Sequence, residues 1–464
     1  MDRRLRHLHR RRRAEAVNAE CESATAVRGN PGAERGLRLR GLAWLSLCGP
    51  WFFIAYGFCN WFTSRRTDVG TWYWEWEKRV PFVPELVVPY WSLDLLFVIA
   101  FFLPRTKDEL RILGTRIFAI ITLTGVCFLI WPLKFDLPRP MPTGWTAPFF
   151  RALYANDLPF NLAPSLHIGL RCLFWITYGR HMRGWARTAM RWWFITIGVS
   201  TLLVWQHHLM DVVTGFLMAY AIVALLPDRT TQPGPHGWMG KTGASSHRLA
   251  LRYGAGAFAC TLLALPAFFH GAWLWFGWPA IACALTALAY ATANPRWLQK
   301  CSGSPTPAAE WILLPVTLIA RLWQMRWLRR QPAWHEAAPG VFFGRHLTDS
   351  EARAFLAMHP NLAVIDLTAE SKEATPFREQ AHYFPLPILD LTEPDATTCM
   401  RACEIIREHL PRGPVFIHCL LGLGRSAHIA AAWLLASGKC KDAGDAVATL
   451  RALDSSVVLN AASS

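Results

Sequence analysis

A cysteine and an arginine six positions apart, Cys419 and Arg425, are joined by the run Leu-Leu-Gly-Leu-Gly and followed directly by Ser426. An apolar β-type run, 414–418, leads into the cysteine, and an Ala-rich helical run, 426–437, leaves the arginine. A loop of this length, eased by Gly422 and Gly424, can turn successive backbone N–H groups toward one anion. The helix N-terminus behind it adds positive potential. Arg425 can grip two phosphate oxygens together, and the same field favours the nucleophilic thiolate of Cys419. The alternative is a buried thiol on a Gly-rich turn.

A second constellation lies in the first half of the chain. Lys134-Phe-Asp-Leu-Pro-Arg-Pro140 follows one apolar run, Ala163-Pro-Ser-Leu-His-Ile-Gly169 opens the next, and Gln206-His-His-Leu-Met-Asp-Val-Val-Thr-Gly215 joins two more. His207 and Asp211 are four apart, hence on one helical face. A carboxylate there fixes the imidazole tautomer and leaves the other nitrogen nucleophilic. His208 is also within reach of Asp211. His167, near a helix start, can protonate a leaving oxygen. Lys134, Arg139 and the helix N-terminus at Ser165 can hold phosphate. The bland alternative is packed or pore-lining histidines.

The elements that must position these groups are mostly apolar. Of 464 residues, 53% are hydrophobic and 17% charged, and the chain holds 24 Trp, a residue that collects at membrane interfaces. Eight runs are candidate spans: 41–62, 87–103, 117–133, 165–178, 192–205, 212–226, 253–269 and 272–291. Charges within them, Asp94 and Arg171, are expected to face a bundle interior. The basic tail, the loops 105–116 and 179–191, and the stretch 229–252 fall on one side, which the positive-inside rule makes the cytosol. The loops 63–86, 134–164 and 206–211 then lie outside, and the chain returns to the cytosol near Asn294. The apolar run 311–328, interrupted by Pro315, Arg321 and Arg326, reads as an interfacial helix.

Beyond Gln331 the strands 341–344, 362–367, 382–387 and 414–418 alternate with helices 350–358, 397–409 and 426–437, which makes a small α/β domain. The net charge of +16 sits between apolar runs, which favours cytosolic-loop bias over nucleic-acid binding. The twelve Cys include no CxxC pair, so neither a zinc site nor a disulfide framework is indicated. The Arg-rich start carries no cleavable-signal pattern. It reads as a disordered cytosolic tail, or as a contact for anionic headgroups.

Residues 338–460 resemble the protein tyrosine/dual-specificity phosphatase superfamily, on the run Val415-Phe-Ile-His-Cys-Leu-Leu-Gly-Leu-Gly-Arg-Ser426. The resemblance implies a phosphocysteine on Cys419, phosphoryl binding by Arg425 and help from Ser426 as the thiolate departs. It also implies a general acid within 382–394, with Asp390 the candidate and Asp395 the alternative. Residues 45–228 resemble the type 2 phosphatidic acid phosphatase superfamily on the three blocks quoted above, nearest its inositolphosphorylceramide-synthase-like branch. Two departures stand out. The first block has a short Lys-to-Arg gap, and Thr201 follows Ser200 where many members have Arg.

Most of the chain after residue 40 resembles bacterial bifunctional phosphatases of this architecture, and the expectations combine that resemblance with the readings above. The fold class is a multi-pass α-helical membrane bundle plus a C-terminal α/β phosphatase domain. The divisions are a basic tail (1–40), a membrane domain (41–228), a further transmembrane pair with a linker helix (229–330) and a cytosolic phosphatase domain (331–464). The function is hydrolysis of lipid-linked phosphomonoesters at two sites, without metal or organic cofactor. One site forms a phosphohistidine at the outer face, and the other a phosphocysteine in the cytosol. The protein is placed in the bacterial inner membrane with both termini cytosolic. The rivals are a lipid phosphotransferase for the membrane domain and a phospho-ligand-binding role for the tail. No oligomeric state follows from the sequence.

Overall fold

The structure is a computed structural model. It describes residues 31–228, 244–265, 275–301, 303–328 and 332–459. The arginine run near the start and most of the basic stretch 229–252 lie outside the described residues. The chain divides into two compact units, Met1–Leu226 and Pro227–Ser464.

The described residues of the first unit form seven α-helices: α1 (Pro31–Thr63), α2 (Val87–Ala100), α3 (Lys107–Ile130), α4 (Ala147–Asn156), α5 (Leu166–His181), α6 (Gly184–Leu203) and α7 (Leu209–Leu225). Six of them overlap the candidate spans before residue 227. The seventh, α4, lies in a stretch that reads as loop, because it is short and buries little beyond Phe150 and Leu153. Among the described residues, two helices are long and apolar enough to cross a membrane, Glu34–Thr63 and Lys107–Ile130. That is fewer than the eight spans expected, and helix length is one reason. The 14 residues of α2 rise only about 21 Å, against an apolar bilayer thickness of about 30 Å.

Helix α3 starts where Thr106 caps it by accepting from Glu109 N–H, with Asp108 and Glu109 in the favourable first turn. Helix α5 packs against α2, α3, α6 and α7. Its start approaches α7 so closely that a Cβ on Gly215 would lie 2.7 Å from Ser165 O, so only glycine fits there. Arg171 is buried on α5 and donates to Phe194 O at 2.5 Å. Asp94 is exposed, contrary to the interior placement expected for it, and follows buried Leu93 on α2.

The second unit begins with two apolar helices packed on each other, α8 (Ala244–Ala264) and α9 (Gly277–Ala291). Leu251 and Phe258 stand exposed on α8. A short antiparallel hairpin, β1 (Lys300–Cys301) and β2 (Ser304–Pro305), follows, then α10 (Pro307–Ile312) and α11 (Leu314–Leu328). Pro315 does not interrupt α11. It sits in the first turn, where its missing N–H has no intrahelical partner to lose.

The sheet comprises β3 (Trp334–Ala338), β4 (Val341–Arg345), β5 (Ala363–Thr368), β6 (His382–Ile388) and β7 (Val415–Cys419), in the order β3-β4-β7-β5-β6. All neighbours are parallel except the β3–β4 edge pair. The helices are α12 (Asp349–Met358), α13 (Thr375–Gln380), α14 (Ala396–His409), α15 (Arg425–Ala436) and α16 (Ala443–Leu453). Strand alternation divides the core. Phe343, Ile365 and Ile417 pack with Ile405, Ala430 and Leu450 on one face, and Phe342, Val364 and Phe416 with Phe355 and Phe377 on the other. Every residue of β5 and β7 is buried, as parallel strands covered on both faces require. The carboxyl end of β7 therefore opens between its two neighbours, the position where open α/β sheets place their ligands.

Candidate active site

Cys419 ends β7 in register with Arg345, and His418 is in register with Asp366. The loop then turns over the end of the sheet. Gly422 has φ +83°, and a Cβ there would lie 2.7 Å from Arg345 N, so both conformation and space demand glycine. Gly424 has φ −118° and nothing within 4 Å of an added Cβ. The N–H of Gly422 donates to Cys419 Sγ at 3.3 Å, and Ser426 Oγ lies 3.4 Å from the same sulfur. Two main-chain bonds pin the loop from outside: His346 N–H to Leu420 O at 3.3 Å and Val458 N–H to Leu423 O at 2.9 Å.

Arg425 leaves the loop at the first turn of α15, buried. Its guanidinium donates to both carboxylate oxygens of Glu370 (2.7 and 3.1 Å), to Ile388 O (2.7 Å) and to Asp390 Oδ1 (2.8 Å). Burial opposes its charge, but Glu370 and Asp390 outweigh burial and hold its pKa well above the usual arginine value. Burial raises the half-buried Asp390, Arg425 opposes and Glu370 reinforces, and the net carboxyl pKa lies above the ordinary aspartate range. Glu370 moves down: burial is overcome by Arg425. Asp395 instead caps α14, accepting from Thr398 N–H at 2.7 Å. Sequence reading missed Glu370. Its one signal is position, two residues past the end of β5, at the same sheet end as Cys419.

Beneath the loop lies a buried polar network. His418 Nε2 is 2.6 Å from Glu373 Oε2. Lys300 Nζ lies 2.5 Å from Asp366 Oδ2 and donates to Thr368 Oγ1 (2.6 Å) and O (2.8 Å). Tyr383 OH donates to Asp366 Oδ2 at 2.6 Å. Burial pushes Asp366 up, yet Lys300 and His418 bring it far below the ordinary range. Burial pushes His418 down, but Glu373 more than offsets it. Among the described residues, Asp366, Glu373 and His418 bring metal-ligand atoms within 4.8 Å of one another. Lys300 already supplies a cation to that group.

In the first unit, Arg139 and His207 line one cleft with Tyr56, Asp157 and Gln206. Arg139 donates to Asp157 O (3.0 Å) and Gln206 Oε1 (3.1 Å) and lies over the Tyr154 ring. His207 Nδ1 is 3.4 Å from Asp211 Oδ2. His208 instead places Nδ1 3.4 Å from Glu77, stacked between Tyr73 and Phe135. Its main-chain N–H donates to Asp211 Oδ2 at 2.7 Å. His167 stacks on Tyr90 with ring centroids 4.2 Å apart, and its Nε2 is buried without a hydrogen-bond partner. Ser165 caps α5, and its N–H donates to Asp211 O at 3.0 Å. Lys134 is not drawn in. It pairs with Asp136 at 3.0 Å, both side chains over 40% exposed. Asp157, which accepts from Tyr56 OH at 2.9 Å, carries no motif signal in sequence.

Residues 344–439 match the family model described as "Polymorphic toxin system, DSP-PTPase phosphatase". Among solved structures, the chain is similar to Tk-PTP in its active form, with 24% identity, 28% of this chain and 89% of that chain covered, and a TM-score of 0.26. It is also similar to human DUSP28, with 18% identity, 28% and 86% coverage, and a TM-score of 0.24. No curated protein matches the chain. The C-terminal part is a dual-specificity/tyrosine-phosphatase-like domain. The protein is accordingly a phosphoric monoester hydrolase.

Proposed function

We propose that the chain is a multi-pass membrane phosphatase of the bacterial inner membrane, with a cytosolic phosphocysteine site and a second, phosphohistidine site at the outer face. The observation that carries the reading is the arrangement around Arg425. A carboxyl held above its ordinary pKa lies 2.8 Å from the phosphate-binding guanidinium, at the end of the loop where Cys419 accepts from Gly422 N–H. In the first step Cys419 thiolate attacks phosphorus, the P–O ester bond breaks, and Asp390 gives its proton to the leaving oxygen. In the second, Asp390 takes a proton from water, whose oxygen attacks phosphorus and breaks the P–S bond. Phosphate leaves, and the returning thiolate is met by Ser426 OH.

The substrate class is a lipid-linked phosphate. Support comes from the apolar helices α8 and α9, which belong to the same compact unit as the phosphatase sheet. In the membrane domain, which resembles type 2 phosphatidic acid phosphatases, His207 is the nucleophile, oriented by Asp211. Arg139 binds phosphate and His167 serves the leaving oxygen. The convergence of Arg139 and His207 on one cleft supports this.

The test is phosphate release by the purified protein from a panel of lipid phosphates, alongside Cys419→Ser and His207→Ala. Release lost only in Cys419→Ser for some lipids and only in His207→Ala for others is the expected result. Unchanged release in Cys419→Ser overturns the phosphocysteine reading. A new phosphodiester lipid in place of free phosphate makes the membrane site a transferase.

A further inference from the structure

The acid loop is anchored by a residue that lies outside the phosphatase sheet. Tyr290, in the last turn of α9, donates its hydroxyl to the main-chain carbonyl of Asp390 at 3.0 Å. Tyr290 is itself buried and clamped. Its ring lies flat on Tyr253 of α8, with centroids 5.6 Å apart and planes 7° apart, and its own carbonyl accepts from Ser246 Oγ at 2.5 Å. Asp390 is thus fixed at two points, its carboxylate by Arg425 at 2.8 Å and its carbonyl by Tyr290. The next residue, Leu391, turns the chain at φ +56°, a conformation that a branched side chain adopts only when its surroundings impose it.

We propose that Tyr290 is a positioning residue for the general acid, so that the apolar pair α8–α9 sets the acid step of the cysteine phosphatase. The proposal rests on the acid role given to Asp390 above. Phosphate binding belongs to Arg425 and the loop, whereas the one hydroxyl proton of Tyr290 goes to the Asp390 carbonyl. Movement of α9 therefore alters proton delivery while leaving phosphate binding in place, and this gives the bilayer a route to the reaction rate.

The experiment uses the full chain in lipid nanodiscs and two aryl phosphates. One is phenyl phosphate, whose leaving oxygen needs a proton. The other is 2,4-dinitrophenyl phosphate, whose leaving oxygen does not. Displacing an acid by up to about 1 Å costs about 10- to 100-fold. Tyr290→Phe should therefore lower kcat/KM for phenyl phosphate by that factor and for the dinitrophenyl ester far less, with inhibition by inorganic phosphate unchanged. Tyr290→p-aminophenylalanine, which restores a donor, should recover the loss. Tyr290→p-methylphenylalanine, which fills the same space without a donor, should not, and this pair replaces Tyr290→Phe if that variant does not fold. Equal losses on both esters, no loss on either, or a parallel change in phosphate inhibition overturns the proposal. With every variant made in a His207→Ala background, turnover surviving Cys419→Ser would instead remove the phosphocysteine reading itself.

Discussion

Arg425 is held more firmly than phosphate binding alone requires, and its partners divide the chemistry. Glu370 takes two of its N–H groups in a fork and keeps the guanidinium in place, while Asp390 touches it with one oxygen and remains half-buried at the mouth. The raised pKa of Asp390 keeps it protonated to higher pH than an ordinary aspartate. As pH climbs through that value the proton is lost and acid catalysis falls. The pH profile of kcat/KM should therefore show a basic limb that Asp390→Asn abolishes, together with a loss of roughly two to four orders of magnitude in rate. Cys419→Ser should abolish phosphate release in a fragment of about 331–464, which holds only the cysteine site. An Asp390→Asn protein with a normal rate and an intact basic limb would move the acid elsewhere. Asp395 is no substitute as it stands, since its carboxylate is engaged in capping α14.

At the scale of elements, the β1–β2 hairpin is part of the phosphatase fold although it precedes residue 331. Lys300 reaches under β5, and the side chains of Lys300 and Asp366 are almost wholly buried. Removing one partner of such a pair leaves an uncompensated charge, so Lys300→Met should destabilise the protein by about 3–5 kcal/mol. Urea unfolding followed by Trp fluorescence measures it, and a change under 1 kcal/mol would make the pair dispensable. A fragment 294–464 should accordingly be more stable than 331–464. The network also has pH edges. Asp366 contributes above the ordinary carboxylate value of about 3.9, and that contribution is lost as pH falls through its depressed pKa. His418 contributes fully below about 6.5 and loses that contribution as pH rises through its raised pKa.

The legibility of these elements follows their burial. Strands β4, β5 and β7, buried along their whole length, read as apolar runs, and helix α12 begins at the Thr348–Glu351 capping box that the structure forms. Strand β3, Trp-His-Glu-Ala-Ala, pairs on one side only and shows no alternation. The six residues of α13 are too few for a helical period. Cys419 and Arg425 lie within one loop and could be read from spacing. Glu370, Lys300 and Tyr290 act on residues 55 to 100 positions away, and only the folded chain joins them.

At the scale of the molecule, the two phosphate sites proposed for this chain make a prediction that neither makes alone. One relies on a thiolate in the C-terminal unit, and the other on an imidazole in a cleft of the first unit with Arg139 beside it. Under the proposed topology the first faces the cytosol and the second the outer side. A charged headgroup does not cross the apolar core unaided, so the two sites should draw on different leaflets. His207→Ala should remove activity toward an outer-leaflet lipid phosphate and leave the cysteine activity whole. A membrane-impermeant thiol reagent should spare Cys419 in intact cells and inactivate it in opened membranes, because a thiolate in an anion-binding loop reacts wherever reagent reaches it. Inactivation in intact cells would place the C-terminal unit outside. If His207→Ala and Cys419→Ser each abolished the same single activity, the chain would hold one working site, with the other domain feeding or regulating it.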